Sequence, residues 1–561
     1  MSREKETQQK DSTYRPVGMS AYEFLRSKCS EHGELTALSF YGKKISFSQL
    51  LERIEETAQA LRRLGVGKSD VVTVSLPAIP EAVYLFYAIN KLEAVYCALD
   101  CRSTAPEVEK TVEQQKPKAC FVPCFQLKQF RGVSGIPVIS VDMTASVGGF
   151  TRFTAAFADF FTGRSFLKHR HSNIMGFSRF QKGAEPGACL PAETFEPDSL
   201  CGYFYTSGTT YGRKCVVLTN ENFNSAVLQH MMGTPEAKKG EKMLNIMPLF
   251  TCYGLCLGLH LPLCLGMEVH LIPLFRGRDM GRLLTGAKPN YIISVPSHWD
   301  GLLKDSSFHG DISCLKAVLI GGDKGRRDFH ALLRERLNTG GSKARIMHGY
   351  GLTETTSTAT VPASDVPDES VGKAACWTKI EIFDPETGQK LPRETQGEIC
   401  ICGPSVCKGY LNDPENTKLL LRKHEDGQLW LHSGDIGYLD ESGALFFCER
   451  IKRMYVRWDG TKVSPYAIEQ ILLSCQVVKE CLVYPVEDKT HLHGFCAKAL
   501  IVLATEKYRA REYLERFIRG NLGEHMRPET VEIVKRLPMT RLGKVDYFPG
   551  NSKIHRMSEN K

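Results

Sequence analysis

Tyr203-Phe204-Tyr205-Thr206-Ser207-Gly208-Thr209-Thr210-Tyr211-Gly212-Arg213-Lys214 is the stretch from which the rest of this chain can be read. An apolar, strand-prone run ends in five small or hydroxyl-bearing residues, and Lys214 arrives four positions later. A backbone that must wrap a polyphosphate needs this mixture. Glycine permits close approach, freed N–H groups and hydroxyls donate to phosphoryl oxygens, and the lysine supplies charge. Val216-Val217-Leu218 reads as the next strand, so the pattern predicts a loop at a hairpin tip. A Walker loop is excluded, because it needs glycine, four residues, then Gly-Lys-Ser/Thr opening a helix.

Further stretches follow in a fixed order: Pro248-Leu249-Phe250; His348-Gly349-Tyr350-Gly351-Leu352-Thr353-Glu354-Thr355; and Gly397-Glu398-Ile399, leading to Gly409-Tyr410-Leu411-Asn412-Asp413-Pro414-Glu415. Then come Ser433-Gly434-Asp435-Ile436-Gly437-Tyr438, Glu449-Arg450-Ile451-Lys452, and Leu537-Pro538-Met539-Thr540-Arg541-Leu542-Gly543-Lys544-Val545. In this order the motifs resemble the adenylate-forming superfamily, which includes acyl-CoA synthetases, firefly luciferase and the adenylation domains of nonribosomal peptide synthetases. The resemblance covers about residues 22 to 547.

Composition fits a large globular chain: 561 residues, 42% hydrophobic and 24% charged. The formal charge of +9 has no dominant block, which suits anionic ligands such as ATP and CoA without specifying nucleic acid. Twenty cysteines lack paired Cys-x-x-Cys spacing, and the polar, charged first ten residues do not read as a signal peptide. Reduced, buried thiols in a cytoplasmic protein are the expectation. Residues 246–274 carry one formally charged side chain, Glu268, but Pro248, Pro262, Gly266 and Pro273 interrupt them. A buried helix followed by a buried strand is expected there, not a membrane span.

The fold class reads as α/β: a large N-terminal domain of layered sheets and helices with a small mobile α+β C-terminal domain. The expected limits are a disordered polar tail over 1–18, the large AMP-binding domain over 19–449, a hinge at 450–452, the small domain over 453–550 and a tail over 551–561. Helices are predicted over 21–30, 46–64, 79–92, 465–473 and 510–520, and strands over 38–41, 71–76 and 497–502, with largely parallel sheets. Residues 146–186 break the rhythm. They are basic and aromatic, and read as a solvated excursion or as a peripheral membrane or partner contact.

The resemblance implies carboxylate activation: an acid attacks the α-phosphorus of ATP, giving acyl-AMP and pyrophosphate. It assigns Lys544 to charge neutralisation in that step. Glu354 and Thr206 become magnesium ligands, and Thr353 a donor to the α-phosphate. Thr206, Ser207, Gly208, Thr209, Thr210 and Lys214 cradle phosphates, Tyr350 stacks on adenine, and Gly351 allows close approach. Asp435 accepts from the ribose hydroxyls and Arg450 completes the clasp. Lys452 is the hinge, Gly460 lines the thiol tunnel, and Phe250, Thr251, Tyr253, Ser294, Val295, Gly321 and Gly322 are candidates for the acyl pocket. No charged group stands among these last, which favours an apolar acyl or aryl chain over an amino acid.

Four features depart from the family pattern. Tyr211 and Cys215 stand where glycines are usual. Thr251 stands where many ligases carry histidine, and Gly321-Gly322-Asp323-Lys324 replaces a more common Gly-Ala-Ala/Glu-Pro. The spacing from Arg450 to Gly460 is one residue longer than usual. The function expected is a fatty or aryl acid–CoA ligase using ATP, Mg2+ and CoA. The alternatives are a standalone enzyme loading the phosphopantetheine of a carrier protein, and a catalytically weak nucleotide-binding relative.

Overall fold

A computed structural model describes residues 14–29, 32–143, 174–183, 196, 198–206, 213–233, 237–322, 329–363, 365–488, 491, 494–504, 509–540 and 545–547, without the side chains of Lys452 and Lys462. The chain is mixed α/β, as its alternating patterns imply. Helix Phe47–Arg63 begins where Ser46 and Gln49 cap each other in a reciprocal box, and it buries Phe47, Leu50, Ile54, Ala58 and Leu61 at helical spacing. Helix Pro80–Lys91 is apolar on every side and accordingly buried throughout. Its Asn90 accepts from the Tyr22 N–H at 2.8 Å and donates to Asn220 at 2.5 Å, which locks the first helix, Ala21–Cys29, onto the core.

Two large sheets form the body. Among the described residues, one runs in the order Arg345–His348, Ala317–Ile320, Tyr291–Ser294, Lys242–Asn245, Glu268–Leu271, Thr36–Phe40 and Lys43–Ser46. All of its pairings are parallel except the last. The second centres on the parallel strands Val71–Val74, Val95–Ala98, Ala119–Pro123 and Val138–Val141. At one edge it carries the antiparallel hairpin Leu200–Tyr205 and Cys215–Thr219, as the sequence predicts. Over residues 379–450 the parallel expectation fails. Strands Lys379–Phe383, Gly397–Cys402, Leu421–Lys423, Leu429–Leu439 and Leu445–Arg450 are antiparallel, because no helix long enough for a crossover separates them.

The C-terminal part has its own core around Ile468, Leu472, Val483, Ile501 and Leu514. Helix Pro465–Leu473 matches its predicted bounds, and helix Ala510–Asn521 packs beside the strands Val478–Glu487, Phe495–Leu503 and Thr530–Ile533. Of the excursion expected over 146–186, residues 146–173 and 184–186 lie outside the described residues. Phe177 and Phe180 are buried against Phe121, so the described end of that stretch belongs to the core.

Residues 246–274 form the expected buried helix and strand. The helix is a π-helix, Tyr253–His260, running into Leu261–Cys264, and the strand is Glu268–Leu271. Asn245 anchors it: its amide donates to the Gly254 carbonyl at 3.1 Å and accepts from the Met247 N–H at 3.0 Å. Among the described residues no helix is long and apolar enough to cross a membrane.

Burial pulls the imidazoles of His230 and His298 down to about 4 and those of His260 and His348 to about 3. Between those values and the ordinary 6.5, an unfolded chain binds protons that the folded chain refuses. Stability is therefore full above about pH 6.5 and falls as pH drops through that window. The denaturant midpoint is expected to be lower at about pH 5 than at about pH 7.5, and His260→Gln should flatten the slope. Equal midpoints for the unaltered protein would contradict the neutral assignment.

Candidate active site

The parallel strands of the first sheet end in register. Ser294 pairs with Ile320, and Ile320 with His348, so the residues that follow leave the sheet side by side. The Gly321 N–H donates to the Ser294 carbonyl at 3.2 Å and the Gly349 N–H to the Ile320 carbonyl at 3.0 Å. Val295, Gly321 and Tyr350 thus gather at the carboxyl ends of parallel strands, where open α/β sheets hold ligands. Past Tyr350 the chain doubles back tightly. A Cβ at Gly351 would lie 2.4 Å from the Ser357 carbonyl, so this glycine is required by the loop's own return. Thr353–Thr355 makes a 3-10 turn, and Thr356 and Ser357 adopt φ of 52° and 62°. For a β-branched threonine that is a strained backbone, of the kind found at ligand sites.

Asp435 enters from the antiparallel sheet. It is 1% exposed. The Tyr350 hydroxyl donates to its Oδ2 at 2.7 Å, and Arg450, its register partner on the neighbouring strand, places Nε 3.4 Å from Oδ1. The Asp435 carboxylate holds the guanidinium above its ordinary range. Burial, the Asp435 charge and its hydrogen bond push the Tyr350 phenol well up, which keeps it a neutral donor. The Tyr350 ring lies 6.1 Å from Phe447.

A second cluster joins the phosphate-loop hairpin to the residues after Gly409. Thr206 and Lys214 close the hairpin: the Thr206 N–H donates to the Lys214 carbonyl at 3.0 Å, and the Lys214 N–H donates to Thr206 Oγ1 at 3.2 Å. Lys214 Nζ donates to Asn416 Oδ1 and sits 4.7 Å above the Tyr410 ring. The Tyr410 hydroxyl in turn donates to Glu354 Oε1 at 2.7 Å. Sequence reasoning gave Tyr410 and Asn416 no role, although the Gly409-to-Glu415 motif that contains or adjoins them was the available signal. Ser207, Gly208, Thr209, Thr210, Tyr211 and Gly212 lie outside the described residues. Cys215 is a strand residue opposite Tyr205, accepting from Gln115 Nε2 at 3.3 Å, so its side chain belongs to the hairpin and not to the loop tip.

Around the acyl-pocket candidates, Tyr253 donates to the Ser294 carbonyl at 3.3 Å, and a Cβ at Gly321 would stand 3.1 Å from the Tyr253 hydroxyl. Thr251 caps the π-helix: its hydroxyl donates to the Pro248 carbonyl at 2.7 Å and accepts from the Gly254 N–H at 3.1 Å. Phe250 lies under the Arg102 guanidinium, which Asp100 grips through both carboxylate oxygens. The Ser294 side chain faces the other way, accepting from the Trp299 indole at 2.9 Å and donating to the Leu319 carbonyl. Burial raises the thiols of Cys252 and Cys407, both near Glu354, to about 12, which leaves neither available as a nucleophile at neutral pH.

Lys452 sits in the 3-10 turn Ile451–Arg453, directly after the strand that carries Arg450. Arg453 beside it is buried in an ion pair with Glu469 of the C-terminal part, while Glu449 accepts from Ser464 and from the Tyr466 N–H. Gly460 lies in the turn of the hairpin Tyr455–Val456 and Lys462–Val463. It has φ of 82° and open space where a Cβ would be. Lys544 lies outside the described residues.

The sequence matches the AMP-binding enzyme pattern over residues 25–411 and the AMP-binding enzyme C-terminal domain over 467–544. It is 28% identical over 534 residues to a long-chain-fatty-acid–CoA ligase of Bacillus subtilis, spanning 93% of this chain and 92% of that one. It is 26% identical over 518 residues to a 4-coumarate–CoA ligase of Humulus lupulus, spanning 90% and 88%. In fold it resembles the anthranilate CoA ligase AuaEII in complex with anthranoyl-AMP, with a TM-score of 0.80 at 20% identity over 97% of this chain and 99% of that one. The chain therefore belongs to the AMP-binding enzyme family.

Proposed function

We propose that this chain activates an apolar carboxylic acid, fatty or aryl, in two half-reactions. The acid's carboxylate attacks the α-phosphorus of ATP, forming acyl-AMP and releasing pyrophosphate. The thiol of CoA then takes the acyl group, releasing AMP and a proton. The observation that carries this reading is convergence at the carboxyl ends of the first sheet's parallel strands: Tyr350 of the Asp435–Arg450 clasp and Glu354 of the Tyr410–Lys214 cluster follow Arg345–His348, and Tyr253 and Val295 adjoin the end of Tyr291–Ser294.

In this reading Asp435 accepts from the ribose hydroxyls, with Arg450 beside it, and Tyr350 offers its ring to adenine. Residues 206–210 and Lys214 hold the phosphates, and Thr353 donates to the α-phosphate. Glu354 suits a hard cation. Tyr410 occupies one of its carboxylate oxygens, and the other has no protein donor among the described residues. Glu354 and Thr206 would hold a magnesium ion, which would neutralise phosphate charge when bound. Lys544 supplies positive charge at the reacting phosphorus. The chain turns at 450–452 between a large domain over 19–449 and a small one over 453–550. Lys452 is the pivot, and the turned small domain presents Gly460 to the thiol.

Both curated relatives named above are CoA ligases, one of long-chain fatty acids and one of 4-coumarate, which supports CoA over a carrier protein as acceptor. All 19 described cysteines are free thiols, which supports a reducing, cytoplasmic setting.

Pyrophosphate release measured over fatty acids, arylpropenoic acids and amino acids tests the reading. Release is expected with the first two classes, and added CoA should convert the product to a thioester. Lys544→Ala should lower acyl-AMP formation by about 10²–10³ while changing thioester formation from supplied acyl-AMP far less. No release with any acid would overturn the enzyme reading, and equal losses in both steps would overturn the turning domain.

The pocket assignment has its own check in Gly321→Ala, whose methyl would press on the Tyr253 ring. The KM for the acid should rise about ten-fold with little change in the KM for ATP. Parallel changes in both would remove Gly321 from the acyl pocket.

A further inference from the structure

Strands Gly397–Cys402 and Leu429–Leu439 pair with a mismatch that decides where Asp435 stands. Glu398 faces Ile436 and Cys400 faces His432, so one residue on the first strand spans the same interval as three on the second. Those three are Ser433, Gly434 and Asp435. A bulge of this kind breaks the ladder and re-aims side chains, at the cost of leaving backbone groups without ladder partners.

Side chains replace the missing ladder. The Gly434 N–H donates to Glu398 Oε1 at 3.0 Å, the Asp435 N–H donates to Ser433 Oγ at 3.1 Å, and the Ser433 hydroxyl donates to the Ile399 carbonyl at 2.6 Å. Gly434 itself has φ of 68°, a conformation few other residues adopt without strain. Glu398 is 6% exposed, and its second oxygen meets His432 Nδ1 at 2.7 Å. His432 Nε2 lies 2.9 Å from His424 Nε2. Burial works to raise the Glu398 pKa, yet the bond and charge of His432 and the Gly434 N–H outweigh it and hold the group below its ordinary value. A carboxylate that stays charged is a stronger acceptor for a backbone N–H than a neutral oxygen.

We infer that Glu398, pinned from behind by His432, is a positioning residue for the nucleotide: it fixes the Gly434 peptide and so aims the Asp435 carboxylate, setting how strongly the site reads ribose hydroxyls. This rests on the assignment of Asp435 to the ribose. Neither Glu398 nor His432 needs to touch the nucleotide for the effect to hold. Ser433 and Tyr350 restrain the same turn, so removal of Glu398 loosens the aim of Asp435 without releasing it altogether.

The test compares ATP with 2′,3′-dideoxy-ATP in pyrophosphate release at a fixed, saturating acid. Discrimination is the ratio of kcat/KM for the two nucleotides. Glu398→Ala is expected to lower that ratio about ten-fold, through the KM for ATP, while kcat and the KM for the acid stay close to wild type. Glu398→Gln keeps an acceptor oxygen and should recover most of the ratio. His432→Asn, which can still donate from the Nδ1 position, should retain more of it than His432→Leu. If Glu398→Ala does not fold, the paired histidine variants read the same quantity. Asp435→Ala separates the two claims. If it leaves discrimination intact, the ribose assignment fails. If it abolishes discrimination while Glu398→Ala, Glu398→Gln and His432→Leu slow both nucleotides equally, the positioning role is overturned.

Discussion

A carboxylate taken out of water must be given back what water supplied, or it costs several kcal/mol. Asp435 meets that demand with partners from two places. The Tyr350 hydroxyl comes from the end of the parallel sheet and Arg450 from the adjoining antiparallel strand. One buried charge therefore ties together two sheets that share no strand. It does so one step before the 3-10 turn that leads into the C-terminal core. The site exists because these elements meet at Asp435, and they meet there partly because Asp435 requires it.

The loop after Tyr350 shows the same economy of contacts. Thr356 donates to the Ser405 carbonyl, and the Ser405 hydroxyl donates to the Thr358 carbonyl, both at 2.9 Å. These reciprocal bonds hold the positive φ angles of Thr356 and Ser357 against a cost of about 1–3 kcal/mol each. The Cys407 N–H donates to the Glu354 carbonyl at 2.9 Å, so the segment carrying Tyr410 and Asn416 is fastened to the same loop. Glu354 and Lys214 stay in the same cluster through Tyr410, which touches both.

Much of this was legible in the sequence. Ser46 with Gln49 announces a helix start, and the run from Pro465 to Leu473 has bounds set by a serine cap and a proline. The clasp residues were legible because the family motif names them one by one. What escaped is whatever depends on register. Glu398 and His432 are 34 positions apart, and only a mismatch of two residues between paired strands makes one the support of a turn beside the other. The π-helix escaped because its apolar residues satisfy an α-helical pattern equally well, and the antiparallel third sheet because short alternating strands do not declare their direction. Ser294 looked like pocket lining by position, yet its hydroxyl serves Trp299.

The order in which strands enter the parallel sheet has a consequence for how the chain is made. Thr36–Phe40 lies beside Glu268–Leu271, and Ser39 donates to Glu268 across 229 positions. A ribosome delivers the first of these strands long before the second exists. Throughout that interval Thr36–Phe40 has only the hairpin strand Lys43–Ser46 as a sheet neighbour, with its other edge open. The second large sheet needs nothing beyond residue 219 for its main strands and can assemble earlier. Synthesis thus favours two unequal stages, and the vulnerable species is a half-made chain offering an unpaired apolar edge to other chains.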